Sequence, residues 1–151
     1  MEIERKFLPV ELPAALDSYP VQHIEQGYLC TNPVVRIRRS NDDYYLTYKS
    51  SGLLAREEYN LPLDAASYAH LKAKADGRVI EKKRYVIPYD DKLTIELDIF
   101  EGDLKPLILA EIEFQSEADA LAFQPPAWLG KDVTYDSHYH NSTMSKADYI
   151  L

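Results

Sequence analysis

The sequence predicts an α+β fold in which a largely antiparallel sheet of eight strands forms a barrel or a sandwich. Two observations predict it. Eight segments alternate between apolar and polar residues with a period of two, the pattern of strands that bury one face. Several connections between these segments are shorter than a parallel crossover requires. The predicted strands cover residues 2–8, 22–30, 34–40, 44–50, 55–61, 79–88, 92–100 and 107–114.

Three short connections carry the residues of tight turns. They are Asn41-Asp42-Asp43, Ser50-Ser51-Gly52 and Asp90-Asp91. Asn, Asp and Ser favour turns because their side chains bond the nearby backbone, and Gly favours them because it adopts left-handed conformations without strain. We therefore expect hairpins at these three positions, which makes the flanking strands antiparallel.

Two helices are predicted between the strands. The first covers residues 64–75, with Asp64 near the N-cap and Gly77 just past the end, and the second covers residues 116–123. A short polar side chain at the N-cap accepts a hydrogen bond from the first turn of a helix, and glycine is common after helix ends. Shorter helices are expected at 12–17 and after Asn141.

Length and composition favour one domain that covers residues 1–151. The formal net charge of −8 argues against duplex nucleic acid as the main partner, because nonspecific affinity for phosphate backbones comes from positive surface. The single cysteine, Cys30, cannot form an intramolecular disulfide. We expect it to pack as a small apolar residue rather than to act as a nucleophile.

The first residues are charged from Glu2 onward and do not form the basic start and apolar run of a secretory signal. No window approaches the roughly 20 apolar residues of a membrane-spanning helix. These features favour a cytoplasmic protein without a membrane segment. The sequence does not separate a monomer from a homodimer.

Charged residues recur on one face of the predicted strands. In the first strand, Glu2, Glu4 and Lys6 share a face while Ile3 and Phe7 point to the other, because side chains alternate along a strand. For one strand, a solvent-facing row of charges is the ordinary explanation. Seven strands share the feature, however, and a solvent face usually also contains Thr, Ser, Gln and Asn. The charged residues of the six later strands are Arg36, Arg38, Lys49, Arg56, Glu58, Lys82, Arg84, Glu96, Asp98, Glu111 and Glu113.

These faces favour a closed eight-stranded barrel with the charges inside and the helices packed outside. About eight strands leave room for interior side chains and one small ligand. Such an interior needs charges of both signs, because an unpaired buried charge is strongly unfavourable. Clustered Lys and Arg bind phosphate oxygens, and clustered carboxylates bind hard cations such as Mg²⁺ or Mn²⁺.

The order of the charged motifs resembles that of the CYTH, or triphosphate tunnel metalloenzyme, superfamily. The resemblance begins with Glu2-x-Glu4-x-Lys6 and runs through the whole chain. It continues with Arg36-x-Arg38, Lys49, Arg56 and Glu58, Lys82-x-Arg84, Glu96-x-Asp98 and Glu111-x-Glu113. The stretches at 26–29, 46–50 and 139–142 resemble those of the small bacterial inorganic tripolyphosphatases within this superfamily.

The resemblance implies a tunnel that hydrolyses inorganic tripolyphosphate, or a related triphosphate, to diphosphate and phosphate with Mg²⁺ or Mn²⁺. The implied substrate-binding residues are Lys6, Arg36, Arg38, Lys49, Arg56, Lys82 and Arg84. Arg56 is the weakest of them, since its charge can instead pair with a neighbouring glutamate. The implied metal ligands are Glu2, Glu4, Asp98, Glu111 and Glu113. Glu4, Glu113 and Lys6 are the expected catalytic residues, and Glu58 and Glu96 have supporting roles.

Two alternative functions share the tunnel. A class IV adenylate cyclase would release cyclic AMP and diphosphate from ATP. A noncatalytic polyphosphate- or nucleotide-binding module would gain nothing from carboxylates that face its ligand, which argues against it. Nucleoside and thiamine triphosphates are alternative substrates for a hydrolase, because a shared fold does not select the substrate.

Three other features lie outside the main pattern. Arg5 has the opposite parity to Glu4 and Lys6 and is not expected in the site. The His138-Tyr139-His140 stretch lacks further His or Cys ligands, so we do not expect it to bind a transition metal. The tail from about residue 131 resembles the segment that closes one tunnel mouth in the superfamily, from where Lys131 would reach the substrate.

Overall fold

The chain folds into ten β-strands and three α-helices in a computed structural model that describes residues 1–151. The strands are β1 (Glu2–Leu8), β2 (Val21–Thr31), β3 (Val34–Ser40), β4 (Asp43–Lys49), β5 (Ala55–Arg56), β6 (Glu58–Leu63), β7 (Asp76–Pro88), β8 (Thr94–Phe100), β9 (Ile108–Glu113) and β10 (Lys131–Asp132). The helices are α1 (Ala65–Lys72), α2 (Glu117–Ala122) and α3 (Asn141–Met144). None of the helices is long and apolar enough to cross a membrane.

The strands form a nearly closed antiparallel barrel. Along the sheet their order is β10-β1-β9-β8-β7-β2-β3-β4-β6. The chain segment that contains β5 and β6 joins the two ends, because β6 pairs with β4 while β5 pairs with β1. The β1–β5 pairing consists of only two residue pairs, Glu2↔Arg56 and Ile3↔Ala55. Closure therefore depends on a very short ladder.

The predicted barrel is confirmed in its antiparallel character and corrected in its strand count and closure. The eight long strands correspond to the eight predicted ones, but the predicted strand 55–61 is divided at Glu57 into β5 and β6. Strand β10 was not predicted and pairs with β1 through Phe7↔Asp132 and Leu8↔Lys131. A two-residue strand is too short to produce a period-two pattern, so the sequence could not indicate β5 or β10 separately.

Two of the predicted turns are hairpins, and the third is not. Asn41 takes a left-handed φ of 53° between β3 and β4, where Ser40 pairs with Asp43. The Asp90 carboxylate accepts hydrogen bonds from the backbone of Lys92 and Leu93 between β7 and β8. The prediction of a tight turn at Ser50-Ser51-Gly52 is wrong, because the chain first pairs with β1 and pairs with β4 only from residue 58.

Helix α1 begins at its expected cap, Asp64, and α2 begins after Ser116, the first residue of the predicted helix, which is its cap. The Asp64 carboxylate accepts a hydrogen bond from the Ser67 N–H at 2.7 Å, and the Ser116 hydroxyl accepts one from the Asp119 N–H at 3.0 Å. Helix α1 ends at Lys72, earlier than predicted. The short helix expected at 12–17 is a single 3₁₀ turn at Leu16–Ser18, and α3 follows His140 as expected.

One apolar core lies on the outer side of the barrel, where α2 and the 3₁₀ turn Ala127–Leu129 cover it. Its buried members come from β1, β7, β8 and β9 and from these covering segments. They are Ile3, Phe7, Ile87, Ile95, Leu97, Ala110, Ile112, Phe114, Ala120 and Leu129. Burial of these apolar faces outward turns the alternate, charged residues inward.

A second apolar core closes one end of the barrel interior. Ile80, Phe100 and Leu109 share the inward parity of the charged residues on their strands, Tyr28 pairs with the inward Arg36, and all four are almost fully buried. Met144 of α3 packs against them and is fully buried. Helix α3 therefore covers the end of the barrel, which corrects the expectation that all helices pack on its outer wall.

Candidate functional site

A polar cavity of about 430 Å³ occupies the barrel interior beside the second core. Only four of its 24 lining residues are hydrophobic. Seven cations and six carboxylates line it: Lys6, Arg36, Arg38, Lys49, Arg56, Lys82 and Arg84, with Glu2, Glu4, Glu58, Glu96, Glu111 and Glu113. The structure thus brings together every predicted site residue except Asp98.

The acidic wall of the cavity comes from the register of β1 and β9. Glu4 pairs with Glu113 and Lys6 pairs with Glu111 across these strands. Residues that oppose each other in an antiparallel pair point to the same face of the sheet. Two Glu-x-Glu motifs far apart in sequence are therefore merged into one acidic surface.

Glu4 and Glu113 are the carboxylates of this wall that have no ion pair. All four other lining glutamates lie within 4.0 Å of a Lys or Arg nitrogen. Burial, reinforced by Glu111 and Glu2, raises the pKa of Glu4 to about 8. Burial also raises the pKa of Glu113, with Glu2 acting in the same direction. Neither carboxylate therefore has a Lys or Arg nitrogen within ion-pair distance.

The two unpaired carboxylates fit a hard divalent cation. Their oxygens are the donors that Mg²⁺ and Mn²⁺ prefer, and Mg²⁺ usually takes one or two carboxylates and completes its shell with water and phosphate oxygens. The chain alone does not bring three His, Cys, Asp or Glu side chains into a metal-binding geometry. A cation here would thus need ligands from water and from a bound anion.

The basic wall comes from β3. Arg36 and Arg38 are buried, and neither has a carboxylate within ion-pair distance, unlike the five other lining cations. The Nε of Arg36 is buried without any hydrogen-bond partner, whereas the Nε of Arg38 donates to Gln26 Oε1 at 2.8 Å. Burial, with the charges of Arg36 and Arg84, lowers the pKa of Arg38 to about 10. Two guanidinium groups are thus buried without a counter-charge, as an anion site requires, and Gln26 holds one of them.

Asp98 lies beneath the cavity and holds two of its cations. Its two carboxylate oxygens accept hydrogen bonds from Arg84 Nε at 2.7 Å and Arg84 Nη2 at 2.9 Å, and Lys82 Nζ lies 2.7 Å away. Burial opposes its ionisation, but Arg84 and Lys82 keep the pKa of Asp98 below its ordinary value. Burial lowers the pKa of Lys82 to about 7 in spite of Asp98. The metal-ligand role of Asp98 stays a prediction, and its contacts are those of a positioning residue.

Glu2 forms ion pairs with the cations of β4 and β5. Lys49 Nζ donates to both Glu2 oxygens, at 2.8 and 3.0 Å, and Arg56 Nε donates to one of them at 3.2 Å. Glu58 lies 3.3 Å from the same lysine. Arg56 thus pairs with a neighbouring glutamate, which was the alternative to a direct role in substrate binding.

Glu111 lies between the acidic and basic walls. Lys6 Nζ is 3.5 Å and Arg84 Nη2 is 3.7 Å from its oxygens. Although burial opposes ionisation, Lys6 and Arg84 hold the pKa of Glu111 well below its ordinary value. Lys6 also donates to the backbone oxygen of Tyr139 at 3.1 Å. This contact ties the segment before α3 to the cavity.

Neutral polar residues of the cavity were not predicted from the sequence. They include Gln22, Tyr45, Asn60, Thr134, His140, Asn141 and Ser142. The period-two signal placed Gln22, Tyr45 and Asn60 on strands, but the prediction considered charged residues only. The others lie in the tail, where no periodicity indicates which side chains face inward.

Of four further residues considered in the sequence, His140 lines the cavity, whereas Arg5, Cys30 and Lys131 do not. Arg5 lies outside the cavity and donates to the backbone oxygens of Ala120 and Phe123 at 2.9 Å. Lys131 is exposed on β10 and does not line the cavity. Cys30 is exposed, so the expectation that it packs as an apolar residue is wrong. His140 lines the cavity with Nε2 at 3.3 Å from the Thr134 backbone oxygen, and burial together with Lys6 lowers its pKa.

Comparison with known proteins gives a consistent assignment. The CYTH domain family profile matches residues 1–148. The inorganic triphosphatase of Nitrosomonas europaea is 41% identical over 148 residues, which cover 95% of this chain and 96% of that protein. The inorganic triphosphatase of Acetivibrio thermocellus is 37% identical over 98% of this chain and 95% of its own length. The crystal structure of the inorganic triphosphatase NE1496 superposes with a TM-score of 0.71 and 38% identity, over 96% of this chain and 94% of that one.

Proposed function

The chain belongs to the CYTH domain family, and we propose that it hydrolyses inorganic triphosphate to diphosphate and phosphate inside its barrel. Relatives that are 41% and 37% identical over nearly the whole chain bear the name inorganic triphosphatase, which supports the proposal. In this chain itself, the charges that the cavity leaves unpaired support the same function.

One observation carries the proposal. The ion pairs of the cavity leave two cations, Arg36 and Arg38, on β3 and two carboxylates, Glu4 and Glu113, on β1 and β9. The two guanidinium groups are buried, and a buried charge without a partner is unfavourable unless a ligand neutralises it. Glu4 is half-buried and Glu113 is exposed at the same cavity. An anion with a divalent cation supplies both missing charges. A linear triphosphate bound to such a cation is a ligand of this kind.

The chain's basic residues would bind and orient the substrate. Phosphoryl transfer requires little covalent chemistry from a protein, because it is promoted by positioning and by neutralising charge on the phosphate oxygens. Arg36 and Arg38 offer planar donors that match phosphate geometry, and Lys82 and Arg84 add donors from β7. Lys6 lies beside both Glu111 and the cavity, where it can neutralise charge that develops on an oxygen.

The carboxylates Glu4 and Glu113 would hold the divalent cation, Mg²⁺ or Mn²⁺. When bound, such a cation neutralises phosphate charge and makes a coordinated water more acidic. Glu2, Glu58 and Glu96 are occupied by Lys49, Arg56 and Arg84. Their role is to fix these cations, and Asp98 does the same for Lys82 and Arg84 from below.

Phosphate release tests the proposal. The full-length chain is incubated with tripolyphosphate, ATP or thiamine triphosphate, each with Mg²⁺, with Mn²⁺ or with chelator. Tripolyphosphate should give equal amounts of diphosphate and phosphate, and chelator should abolish release. Cyclic AMP from ATP would identify a cyclase, and tight binding without any turnover would identify a binding module. Hydrolysis that persists in chelator would contradict the role given to the cation.

A further inference from the structure

Two side-chain amides link two cations at the closed end of the cavity. Gln26 of β2 accepts a hydrogen bond from Arg38 Nε through Oε1 at 2.8 Å. Its Nε2 donates to Asn141 Oδ1 at 3.1 Å, and Lys82 Nζ donates to that same oxygen at 3.1 Å. A continuous network therefore runs from β3 through β2 and α3 to β7.

The donors at both ends of this network fix the orientation of the amides. An Arg side chain can only donate, so Gln26 must turn its oxygen to Arg38 and its amide nitrogen to Asn141. Asn141 must therefore turn its oxygen to Gln26, and Lys82 donates to that same oxygen. The Nδ2 group of Asn141 consequently points away from both partners, and it makes no hydrogen bond within the chain. Because Asn141 lines the cavity, two N–H donors are left for a ligand there.

The network lies at the innermost part of the cavity. Lys82 Nζ is 5.3 Å from the ring centroid of Phe100, which belongs to the second apolar core. Met144, three residues after Asn141 in the chain, is buried in the same core. A ligand that reaches Asn141 has therefore reached the closed end of the barrel.

Amides orient a cation without cancelling its charge, and Gln26 does this for Arg38, whereas Lys82 is also paired with Asp98 at 2.7 Å. Glu2 shows the other arrangement, since its carboxylate neutralises Lys49 and Arg56. At Asn141 a carboxylate would repel phosphate oxygens, whereas an amide N–H donates to them. The chain thus places a neutral donor at the point where the anion comes nearest to the apolar core.

We propose that Asn141 binds an oxygen of the innermost phosphoryl group through Nδ2, and that Gln26 positions both Asn141 and Arg38 for this contact. The inference deepens the proposed function and rests on it, because it requires a linear phosphate in this cavity. Asn141 acts as a substrate-binding residue. Gln26 acts through its two neighbours, without contact with the substrate.

Calorimetric binding of tripolyphosphate to the full chain in chelator, where turnover is prevented, tests the inference. Asn141→Ala should weaken binding about 10- to 100-fold, the range for a hydrogen bond to a charged group. Asn141→Asp keeps the oxygens that face Lys82 and Gln26 but lacks the donors, and it should weaken binding at least as much. Thr143→Ala is the matched control, because Thr143 is on the same helix, does not line the cavity and makes no side-chain hydrogen bond.

The outcomes separate the inference from the proposed function. Absence of both tripolyphosphate binding in chelator and turnover with Mg²⁺ by the unmodified chain would count against the proposed function itself. If turnover alone is present, KM for tripolyphosphate with Mg²⁺ replaces the calorimetric affinity in the comparison of the variants. Normal binding by the unmodified chain and by Asn141→Ala would overturn the inference alone. Weakening by Asp but not by Ala would also overturn it, since added charge would then be the whole effect. Melting temperatures identify any variant that fails to fold, and the isosteric Asp variant covers that case.

A double-mutant cycle tests the positioning role of Gln26. Gln26→Ala should weaken binding by itself, and the double variant with Asn141→Ala should lose much less than the product of the two single effects. Residues that act as one unit show such coupling, whereas independent sites are additive. Additive losses would show that Gln26 does not act through Asn141.

Discussion

Glu4 and Glu113 face each other across the β1–β9 pair, and they are the lining carboxylates of the cavity without a cation partner. Every other glutamate of the cavity is paired with Lys or Arg. The fold thus separates glutamates that hold basic residues from glutamates that remain available. The available pair is where a divalent cation would be bound, and it defines the first prediction.

Replacement of Glu4 or Glu113 by Gln should abolish metal-dependent phosphate release while the chain stays folded. A loss of about 100- to 1,000-fold in kcat is expected, the usual cost of removing one group that stabilises charge in the transition state. Steady-state kinetics and far-UV circular dichroism measure the two effects. Glu57→Gln is the control, because Glu57 is exposed and does not line the cavity. Wild-type turnover in Glu4→Gln would remove Glu4 from the site.

The raised pKa of Glu4 predicts a specific pH dependence of stability in the metal-free chain. Its pKa rises from 4.5 to about 8 on folding, so folding takes up a proton between these values. The contribution of protonated Glu4 to the free energy of unfolding is therefore fully present below about pH 4.5 and is lost as pH rises through about 8. Gln does not titrate. The free energy of unfolding of Glu4→Gln minus that of the unmodified chain should thus increase from pH 5 to 8. The slope of this difference against pH should approach the value for about one bound proton.

Chemical denaturation in chelator at several pH values measures this difference. Saturating Mg²⁺ should reduce it, because a bound cation replaces the proton on the carboxylate. A difference that is constant across the range would show that Glu4 is already ionised in the folded chain.

The unpaired guanidinium of Arg36 should cost stability in the free chain and supply affinity in the complex. Arg36→Gln is expected to raise KM for tripolyphosphate about 10- to 100-fold, the value of a hydrogen bond to a charged group. The ligand-free variant should melt at the same or a higher temperature, because a buried charge and an unsatisfied Nε are removed.

Arg39→Gln provides the control for Arg36, since the exposed Arg39 points to the opposite face of β3. It should leave KM unchanged. If Arg36→Gln lowered the melting temperature strongly without any change in KM, Arg36 would be a structural residue of the barrel and not part of the anion site.

The inward face of the barrel could be predicted because its signal is local. Alternation along each strand identified every charged residue that lines the cavity, from Glu2 to Glu113. Asp98 has the same parity but does not line the cavity, since it pairs with Arg84 at a register where Arg84 and Lys82 cover it. Parity shows to which face of the strand a side chain points. Only the three-dimensional packing shows whether that side chain reaches the cavity or is buried beneath it.

The features that could not be predicted depend on contacts between distant segments. The two-residue strand β5 is a strand only because β1 lies beside it. Asn141 belongs to the site only because α3 packs on the end of the barrel through Met144. No periodicity in the tail indicates either contact. The stretch at 139–142 resembles that of the small bacterial inorganic tripolyphosphatases. This resemblance indicated the family of the chain but not the role of Asn141.

Asp98 either positions Arg84 and Lys82 or binds the metal, and the Asp98→Asn variant tests which of the two roles it has. The carboxylate is fully buried and holds Arg84 through two hydrogen bonds and Lys82 through one short contact. Loss of its charge leaves the buried Lys82 without an ion pair and Arg84 with only its longer contacts to Glu96 and Glu111, so the free energy of unfolding should fall by about 3–5 kcal/mol. The exposed pair Arg39–Asp42 is the control, and Asp42→Asn should cost less than about 1 kcal/mol. As a positioning residue, Asp98 should affect KM for tripolyphosphate more than the Mg²⁺ concentration at half-maximal rate; the opposite result would identify it as a metal ligand.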